Sequence, residues 1–266
     1  MHERRLYAHR GASAERPENT MPAFARAVEL GVDALELDVH LTRDEQLIVS
    51  HDEGALRMAG ARVAWNDVDL AEARRFDVGW GFVAPDGTRP YAGQGLTVPL
   101  LGEVLDAFPR VRLNIDIKRD ERAIAKVLAL VEQHRAADRV TLASFKTTIA
   151  TTVRRRGYPG ETALSQGEVV SLLALPALLW RQVPLTGTAV QVPVRQGPVH
   201  FDRPTFIAKC HSLGLRVDFW TIDDPGEAAR LLELGADGIM TNDPGALRSL
   251  FASSTAVGLS TDPAAP

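Results

Sequence analysis

The sequence predicts an α/β protein with one domain, a TIM (β/α)₈ barrel. Three observations predict it: the length of 266 residues, the alternation of buried-strand and helix patterns, and the eight repeats of that alternation. A barrel of this type has roughly 250 residues. An open, doubly wound sheet would alternate in the same way. The count of eight therefore favours the closed barrel.

Strands are predicted for short apolar, β-branched runs, and helices for runs with a repeat near 3.6 residues. The predicted strands are residues 5–9, 34–40, 112–118, 139–145, 162–165, 188–193, 215–222 and 238–241. The predicted helices are residues 20–30, 101–108, 122–135, 147–156, 168–180, 203–213, 225–234 and 245–251. Each strand but the second is followed directly by a helix or a short connection.

The alternation fails once, between about residues 53 and 100, where aromatic residues, Gly and Pro are scattered without a period. A structureless loop of this length is unusual in a compact domain. We therefore expect a small insertion between the second strand and its helix, preceded by a short strand at residues 46–50. Residues 1–251 are assigned to the barrel, and residues 252–266, rich in Ser, Thr, Ala and Pro, to a disordered tail.

Composition excludes several classes of protein. With 34 acidic and 30 basic residues the net charge is −4, and the hydrophobic fraction is 45%. These values argue against a disordered chain and against a nucleic-acid-binding protein, which usually carries a basic stripe. Cys210 is the single cysteine, so no intramolecular disulfide is possible. The sequence shows no signal-peptide pattern, and its longest apolar stretch, residues 169–180, is shorter than the ~20 residues of a membrane span. We expect a cytoplasmic location; oligomeric state is left open.

Polar residues collect where the first three barrel strands end. They are His9, Arg10, Glu36, Asp38, His51, Asp116 and Lys118. Residues two apart on a strand point to the same side, so Glu36 and Asp38 share one face, as do Asp116 and Lys118. Because active sites of such barrels lie at the carboxyl ends of the strands, the sequence predicts a site there.

Three carboxylic acids inside one barrel, Glu36, Asp38 and Asp116, repel each other unless they are protonated or neutralised. Oxygen ligands of this kind favour one divalent cation, Ca²⁺ or Mg²⁺. The alternative is a buried salt-bridge network in which these acids pair with Arg10 and Lys118. Both interpretations stay open at this point.

His9 and His51 are the candidates for acid–base catalysis, because imidazole titrates near neutral pH. Arg10 can bind a phosphate or carboxylate through two hydrogen bonds, and Lys118 adds a compact positive charge. Together these groups predict a pocket for an oxyanion such as a phosphoryl group. Trp220, at a strand end, either stacks on the substrate or belongs to the core.

Eight segments together resemble the signature of the glycerophosphodiester phosphodiesterases. They are residues 9–11 (His-Arg-Gly), 17–20 (Pro-Glu-Asn-Thr), 36–39 (Glu-Leu-Asp-Val), 51–52 (His-Asp), 114–118 (Asn-Ile-Asp-Ile-Lys), 144–145 (Ser-Phe), 220–222 (Trp-Thr-Ile) and 237–241 (Asp-Gly-Ile-Met-Thr). The resemblance covers roughly residues 5–250. It implies a TIM barrel with a small insertion after the His-Asp element.

The resemblance also implies a reaction, hydrolysis of small glycerophosphodiesters to glycerol 3-phosphate and an alcohol. It implies that His9 and His51 act as general acid and base, with water or the glycerol 2-hydroxyl as the attacking oxygen. It further implies that Glu36, Asp38 and Asp116 bind the cation and that Arg10 and Lys118 hold the phosphate. Two positions depart from the pattern. Asp116 stands where Glu is more usual, and Asn242 stands where Asp is common; we expect Asn242 to be structurally neutral.

Other functions remain as alternatives. The apolar stretch at residues 169–180 is either a barrel helix or an exposed patch that contacts lipid or accepts an acyl chain. The second possibility would make the enzyme similar to a lysophospholipase D on the same fold. A barrel similar to phosphatidylinositol-specific phospholipase C or sphingomyelinase D, and an inactive barrel that only binds ligands, are further rivals.

Overall fold

Eight parallel strands form a ring in the computed structural model, which describes residues 2–118, 120–174 and 186–251. The barrel strands are β1 (Arg5–His9), β2 (Ala34–Leu41), β4 (Arg112–Ile117), β5 (Val140–Ala143), β6 (Glu161–Thr162), β7 (Ala189–Val192), β10 (Arg216–Phe219) and β11 (Gly238–Thr241), and the three other short strands are β3 (Leu47–Val49), β8 (Arg195–Gln196) and β9 (Val199–His200). The barrel strands pair in the order β6-β5-β4-β2-β1-β11-β10-β7. A parallel bridge between Ala163 and Ala189 joins the two ends, so the predicted TIM barrel is confirmed.

The helices cover the outside of the ring, apart from two short ones between residues 50 and 100 that belong to the insertion. They are α1 (Met21–Glu29), α2 (Leu56–Ala59), α3 (Leu70–Ala73), α4 (Leu101–Ala107), α5 (Arg122–Gln133), α6 (Thr147–Arg155), α7 (Gln166–Ala174), α8 (Pro204–Ser212), α9 (Pro225–Glu233) and α10 (Pro244–Leu247). Helix α1 shows how the sequence sets such boundaries: the Thr20 hydroxyl accepts a hydrogen bond from the Ala23 amide at its start. Gly31, with φ +75°, follows its end.

Residues facing out of the barrel are apolar, and they pack against the helices. Leu35, Leu37 and Ile115 are fully buried in one cluster with Phe24 of α1 and Ile124 of α5. The residues between them on β2 and β4 face the barrel interior, and they include Glu36, Asp38 and Asp116. The two-residue period of the strands thus separates the hydrophobic core from the polar interior.

The segment between β3 and α4 has a small core of its own, which includes Met58, Trp65 and Val78. Its helical elements are only three or four residues long, which is why no helical period is visible in the sequence. The Trp65 indole N–H lies 3.0 Å from both the Ser50 hydroxyl and the Asp52 carbonyl oxygen. This segment therefore holds in place the loop that carries His51.

Two features differ from the sequence-based expectation. An antiparallel hairpin, β8–β9, lies between β7 and α8, where only a connection was expected; Gly197, with φ +57°, forms its turn. Several strands are also shorter than predicted: residues 144–145, 193 and 220–222, for example, belong to loops. Helix α7 begins at Gln166. The rest of the predicted helix at residues 175–180 and the predicted tail at residues 252–266 lie outside the described residues.

Within the described residues, no helix is long and apolar enough to cross a membrane. The expected cytoplasmic location stays a prediction.

The lower half of the barrel interior is a buried polar network. Asp218, fully buried, accepts hydrogen bonds from Arg216 (2.9 Å) and from the Tyr7 hydroxyl (3.2 Å). The Gln191 amide nitrogen donates to Asn114 Oδ1 at 2.9 Å. Buried polar groups of this kind are stable only when they are paired. This hydrogen-bonded network therefore fills the barrel interior below the carboxyl ends of the strands.

Arg5 and Glu161 make a paired contact at the same end of the barrel, with N–O distances of 2.8 and 3.1 Å. The hydrogen bonds from Arg5 hold the pKa of Glu161 at about 2, below its ordinary 4.5. A depressed carboxyl pKa stabilises the folded state above the unfolded-state pKa, and this stabilisation is lost as the pH falls through the folded-state value.

We expect Glu161→Gln to lower the free energy of unfolding at pH 7 by about 1–2 kcal/mol, less than for a fully buried pair because the carboxylate is one-third exposed. Chemical denaturation at a series of pH values measures it. The difference from the wild type should shrink between pH 4.5 and about 2. Glu132→Gln, on the exposed face of α5, is the matched control and should show no such difference. A pH-independent difference for Glu161→Gln would contradict this account.

Candidate active site

A cavity of about 470 Å³ lies at the carboxyl ends of the barrel strands. The eight residues predicted from the sequence for the site all line it: His9, Arg10, Glu36, Asp38, His51, Asp116, Lys118 and Trp220. An adjoining cavity of about 690 Å³ shares His51, Asp116 and Lys118 with it. The fold thus brings together residues that are up to 211 positions apart in the chain.

Strand register sets the positions of the acids. In the barrel, His9 pairs with Glu36 across β1 and β2, and Asp38 pairs with Asp116 across β2 and β4. Partners in register lie at the same height along neighbouring strands and point to the same face. The acids therefore meet on one wall of the cavity, beside His9.

The loop after β1 places Arg10 against these acids. Arg10 has φ +59° and Gly11 has φ +83°. A Cβ atom at Gly11 would lie 2.7 Å from backbone and side-chain atoms of Ala23, so only glycine fits. In this tight turn the Arg10 amide donates to Glu36 Oε2 at 3.1 Å, and the Arg10 guanidinium Nε lies 3.5 Å from Asp38 Oδ2.

Lys118 bridges two of the acids. Its ammonium nitrogen lies 2.6 Å from Asp38 Oδ1 and 2.7 Å from Asp116 Oδ2. The Asn19 amide donates to Asp38 Oδ2 at 2.9 Å. Asp38 and Asp116 are thus paired with positive side chains, as the salt-bridge interpretation expects.

The charges of the three acids are only partly balanced. Burial raises the pKa of Glu36 well above its ordinary value, and the neighbouring Asp38 adds to the rise. Burial also raises the pKa of Asp116, although Lys118 opposes it. For Asp38, burial is outweighed by the positive charges of Lys118 and Arg10, and its pKa is lowered. The site therefore has fewer positive charges than three ionised carboxylates require.

The donor chemistry fits a hard divalent cation, although the present arrangement does not form a ready ligand set. Among the described residues, no group of three or more His, Cys, Asp or Glu side chains is placed to hold a metal ion; Lys118 lies between Asp38 and Asp116. Within the same residues, however, Asp116 Oδ1 is buried without a hydrogen-bond partner. Glu36, Asp38 and Asp116 supply the oxygen atoms that Ca²⁺ and Mg²⁺ prefer.

His51 is held by a hydrogen bond to Asp52 and, beyond it, by ion pairs. Its Nδ1 lies 2.8 Å from Asp52 Oδ1, and Arg57 contacts the other oxygen of Asp52 at 2.7 Å. Arg57 also donates two hydrogen bonds of 2.7 Å to Glu18, which accepts one of 3.1 Å from Arg10. The pKa of Asp52 is about 2, because hydrogen bonds from Arg57 and His51 outweigh the effect of burial. These contacts link the His51 loop to Arg10.

His9 has a different partner. Its Nδ1 lies 2.8 Å from the Asn242 amide oxygen, and its Nε2 lies 4.0 Å from Glu36 Oε2. Burial lowers the pKa of His9, and the positive charge of Arg10 lowers it further. Asn242 thus contacts a candidate catalytic imidazole, and the expectation that Asn in place of Asp here is structurally neutral stays a prediction.

The opposite side of the cavity is apolar. Val169, Val170 and Leu173 of α7 and Phe201 line it, together with Trp220. The Trp220 ring packs edge-on against Phe145, with 5.7 Å between ring centroids. Val170 and Leu173 are 57% and 37% exposed. The described part of the apolar stretch is thus a barrel helix, and it also presents apolar side chains to the cavity.

Asn114 and Arg57 are among the residues of the site that sequence reasoning missed. Asn114 lines the cavity, and its place two residues before Asp116 on β4 was a signal that could have found it. Arg57 lies in a segment without periodicity, and nothing in the sequence marks it as a partner of Glu18 and Asp52. Ser144 lines the cavity, but its hydroxyl donates to the Ile117 carbonyl at 2.7 Å.

The barrel carries carboxylates, imidazoles and cationic side chains at the carboxyl ends of its strands. This combination is typical of barrel enzymes that act on anionic substrates. The profile of the glycerophosphoryl diester phosphodiesterase family matches residues 9–246. The chain belongs to this family, and the class of enzyme expected from its motifs, a glycerophosphodiester phosphodiesterase, is confirmed.

Curated relatives extend over nearly the whole chain. A human protein named lysophospholipase D GDPD1 is 30% identical over 92% of this chain and 85% of its own length. A glycerophosphodiester phosphodiesterase from Caldanaerobacter subterraneus subsp. tengcongensis is 30% identical over 92% of this chain and 96% of its own length.

Solved structures share the fold. A phosphodiesterase from Oleispira antarctica, in complex with the product sn-glycerol-3-phosphate, superposes with a TM-score of 0.78 at 21% identity, covering 94% of this chain and 97% of the other. A glycerophosphodiester phosphodiesterase from Thermotoga maritima gives a TM-score of 0.72 at 23% identity, covering 94% and 99%. At these identities the likeness supports the fold.

Proposed function

We propose that this protein hydrolyses glycerophosphodiesters to glycerol 3-phosphate and an alcohol, with His9 and His51 as the acid–base pair. The observation that carries the proposal is that both imidazoles line the same cavity as Arg10, Lys118 and the three acids. A relative named glycerophosphodiester phosphodiesterase and a neighbour crystallised with sn-glycerol-3-phosphate support the substrate class.

In this proposal the protein's own residues bind the phosphodiester and move protons. Arg10 and Lys118 bind the phosphate oxygens, and Trp220 contacts the glycerol or the head group. One imidazole accepts the proton of the attacking oxygen, and the other protonates the leaving alkoxide. The Asp52–Arg57–Glu18 ion pairs hold His51 and Arg10 in place during this exchange.

Glu36, Asp38 and Asp116 are the residues that would hold one divalent cation, Ca²⁺ or Mg²⁺. When bound there, such an ion acts as a Lewis acid that stabilises the charge on the phosphodiester oxygens. The unpartnered Asp116 Oδ1 and the raised pKa values of Glu36 and Asp116 support this assignment.

We expect His9→Ala and His51→Ala each to lower kcat on glycerophosphocholine or glycerophosphoethanolamine by about 10²–10⁴-fold, the usual contribution of acid–base catalysis. Release of glycerol 3-phosphate, followed across a panel of glycerophosphodiesters with titrated Ca²⁺ or Mg²⁺, measures the effect. His134→Ala, on the C-terminal cap of α5, is the control and should retain activity. Full turnover by either site variant would exclude the acid–base assignment.

Cation binding has its own test. Millimolar Ca²⁺ or Mg²⁺ should raise the Tm of the wild type, because a ligand at 100 times its Kd stabilises the fold by about 2.7 kcal/mol. A chelator should abolish hydrolysis. Asp116→Asn should lose the Tm increase. Asp120→Asn, which alters an ion pair with the exposed Arg122, should keep it. If neither cation shifts the Tm of the wild type, the three acids are not a cation site.

A second candidate function is hydrolysis of lysophospholipids by a lysophospholipase D-type reaction. The apolar side of the cavity, with Val169, Val170 and Leu173 exposed to it, favours this candidate because an acyl chain could lie there. The human relative named lysophospholipase D GDPD1 supports it. In this case the phosphate would bind in the same place, and the substrate would differ by the acyl chain on its glycerol.

The two substrate classes can be separated with one substitution. Leu173→Asp should lower kcat/KM for lysophosphatidylcholine by about tenfold or more, because a charge would face the acyl chain, and should change the value for glycerophosphocholine less than about twofold. Leu56→Asp alters an exposed leucine of α2, which is not among the residues lining the cavity, and serves as the control. Equal effects of Leu173→Asp on both substrates would exclude acyl-chain binding along α7.

A further inference from the structure

The carboxylate of Asp223 fixes the orientation of the Asn242 side chain. Asp223 accepts hydrogen bonds from the Thr241 hydroxyl (2.9 Å), the Asn242 backbone amide (2.7 Å) and Asn242 Nδ2 (2.8 Å). An ionised carboxylate only accepts hydrogen bonds. The Asn242 atom that faces Asp223 is therefore the amide nitrogen, and the amide oxygen points the other way.

The Asn242 amide oxygen faces His9. Its distance to His9 Nδ1 is 2.8 Å. The Ser13 hydroxyl lies 3.0 Å from the same oxygen and 2.9 Å from the His9 carbonyl oxygen, so it supports both residues. An amide oxygen cannot donate a hydrogen bond, and His9 Nδ1 must therefore carry the hydrogen.

Neutral imidazole carries one hydrogen, so a hydrogen on Nδ1 leaves Nε2 of His9 as an unprotonated acceptor. Nε2 lies 4.0 Å from Glu36 Oε2, which is too long for a hydrogen bond. Since His9 lines the cavity, this free acceptor is available to a substrate there. The partner of His51 is instead the carboxylate of Asp52.

We propose that Asn242, oriented by Asp223, is a positioning residue that fixes His9 in the tautomer with the hydrogen on Nδ1. This arrangement presents the Nε2 lone pair to the substrate for proton acceptance. The proposal rests on the proposed function of His9 in phosphodiester hydrolysis. It gives a role to the position at which this chain has Asn where Asp is common in the motif.

The tautomer can be read directly, without an activity assay. In the full-length protein labelled with ¹⁵N-histidine, long-range ¹H–¹⁵N spectra should show a protonated Nδ1 and an unprotonated Nε2 for His9, assigned by loss of the signal in His9→Gln. Asn242→Ala should shift this signal towards the Nε2–H tautomer. Asn242→Asp combined with Asp223→Asn exchanges the donor and the acceptor between these two side chains, leaves an acceptor oxygen towards His9, and should keep the hydrogen on Nδ1.

Kinetics on glycerophosphocholine give the second readout. Asn242→Ala should lower kcat about 10–100-fold, as expected for loss of a residue that orients a functional imidazole, and should leave KM within about twofold. The double variant Asn242→Asp/Asp223→Asn should recover most of the lost kcat, which a purely structural role would not predict. Asn66→Ala, at an exposed position in the insertion, is the matched control.

A wild-type His9 with its hydrogen on Nε2 would overturn the proposal, as would an Asn242→Ala variant with unchanged tautomer and kcat. If Asn242→Ala does not fold, the wild-type tautomer and the comparison with the double variant Asn242→Asp/Asp223→Asn still decide. If the wild type hydrolyses no glycerophosphodiester, the proposed function fails, whereas the spectra report on the tautomer independently.

Discussion

The charge balance at the mouth of the barrel is the constraint on which the rest of the site depends. Glu36, Asp38 and Asp116 are all buried, and isolated buried carboxylates are strongly unfavourable unless they are paired. Lys118 bridges two of them at 2.6 and 2.7 Å, and the Arg10 turn supplies the remaining contacts. In the proposed function, the same positive groups would also bind the phosphodiester.

The two imidazoles have partners of different chemical character. His51 is bound to the carboxylate of Asp52, whereas His9 is bound to the neutral amide of Asn242. The two imidazoles thus differ in the residue that contacts Nδ1, although both line the same cavity. Both partners are held in turn by further ion pairs or hydrogen bonds from outside the cavity.

The cavity combines a charged wall with an apolar one. The charged wall comes from the loops and ends of β1, β2 and β4, and the apolar wall comes from α7, Phe201 and Trp220. Their separation follows from the fold, because the first strands and the later helices lie on opposite sides of the ring. The charged wall fits the phosphodiester, which glycerophosphodiesters and lysophospholipids share. In the proposed function, the apolar wall would set how large a substituent the site accepts.

Much of this protein could be predicted from its amino-acid pattern. The alternation of strand and helix patterns identified the eight strands, and the spacing of Glu36 and Asp38 placed both carboxylates on one face. Both properties depend only on neighbours along the chain. The contacts of Arg57 and Asn242 could not be predicted in this way. Arg57 lies in a segment without periodicity, and Asn242 is 233 residues from His9. Their partners are fixed by the closure of the barrel and the packing of the insertion, and local sequence contains no information about either.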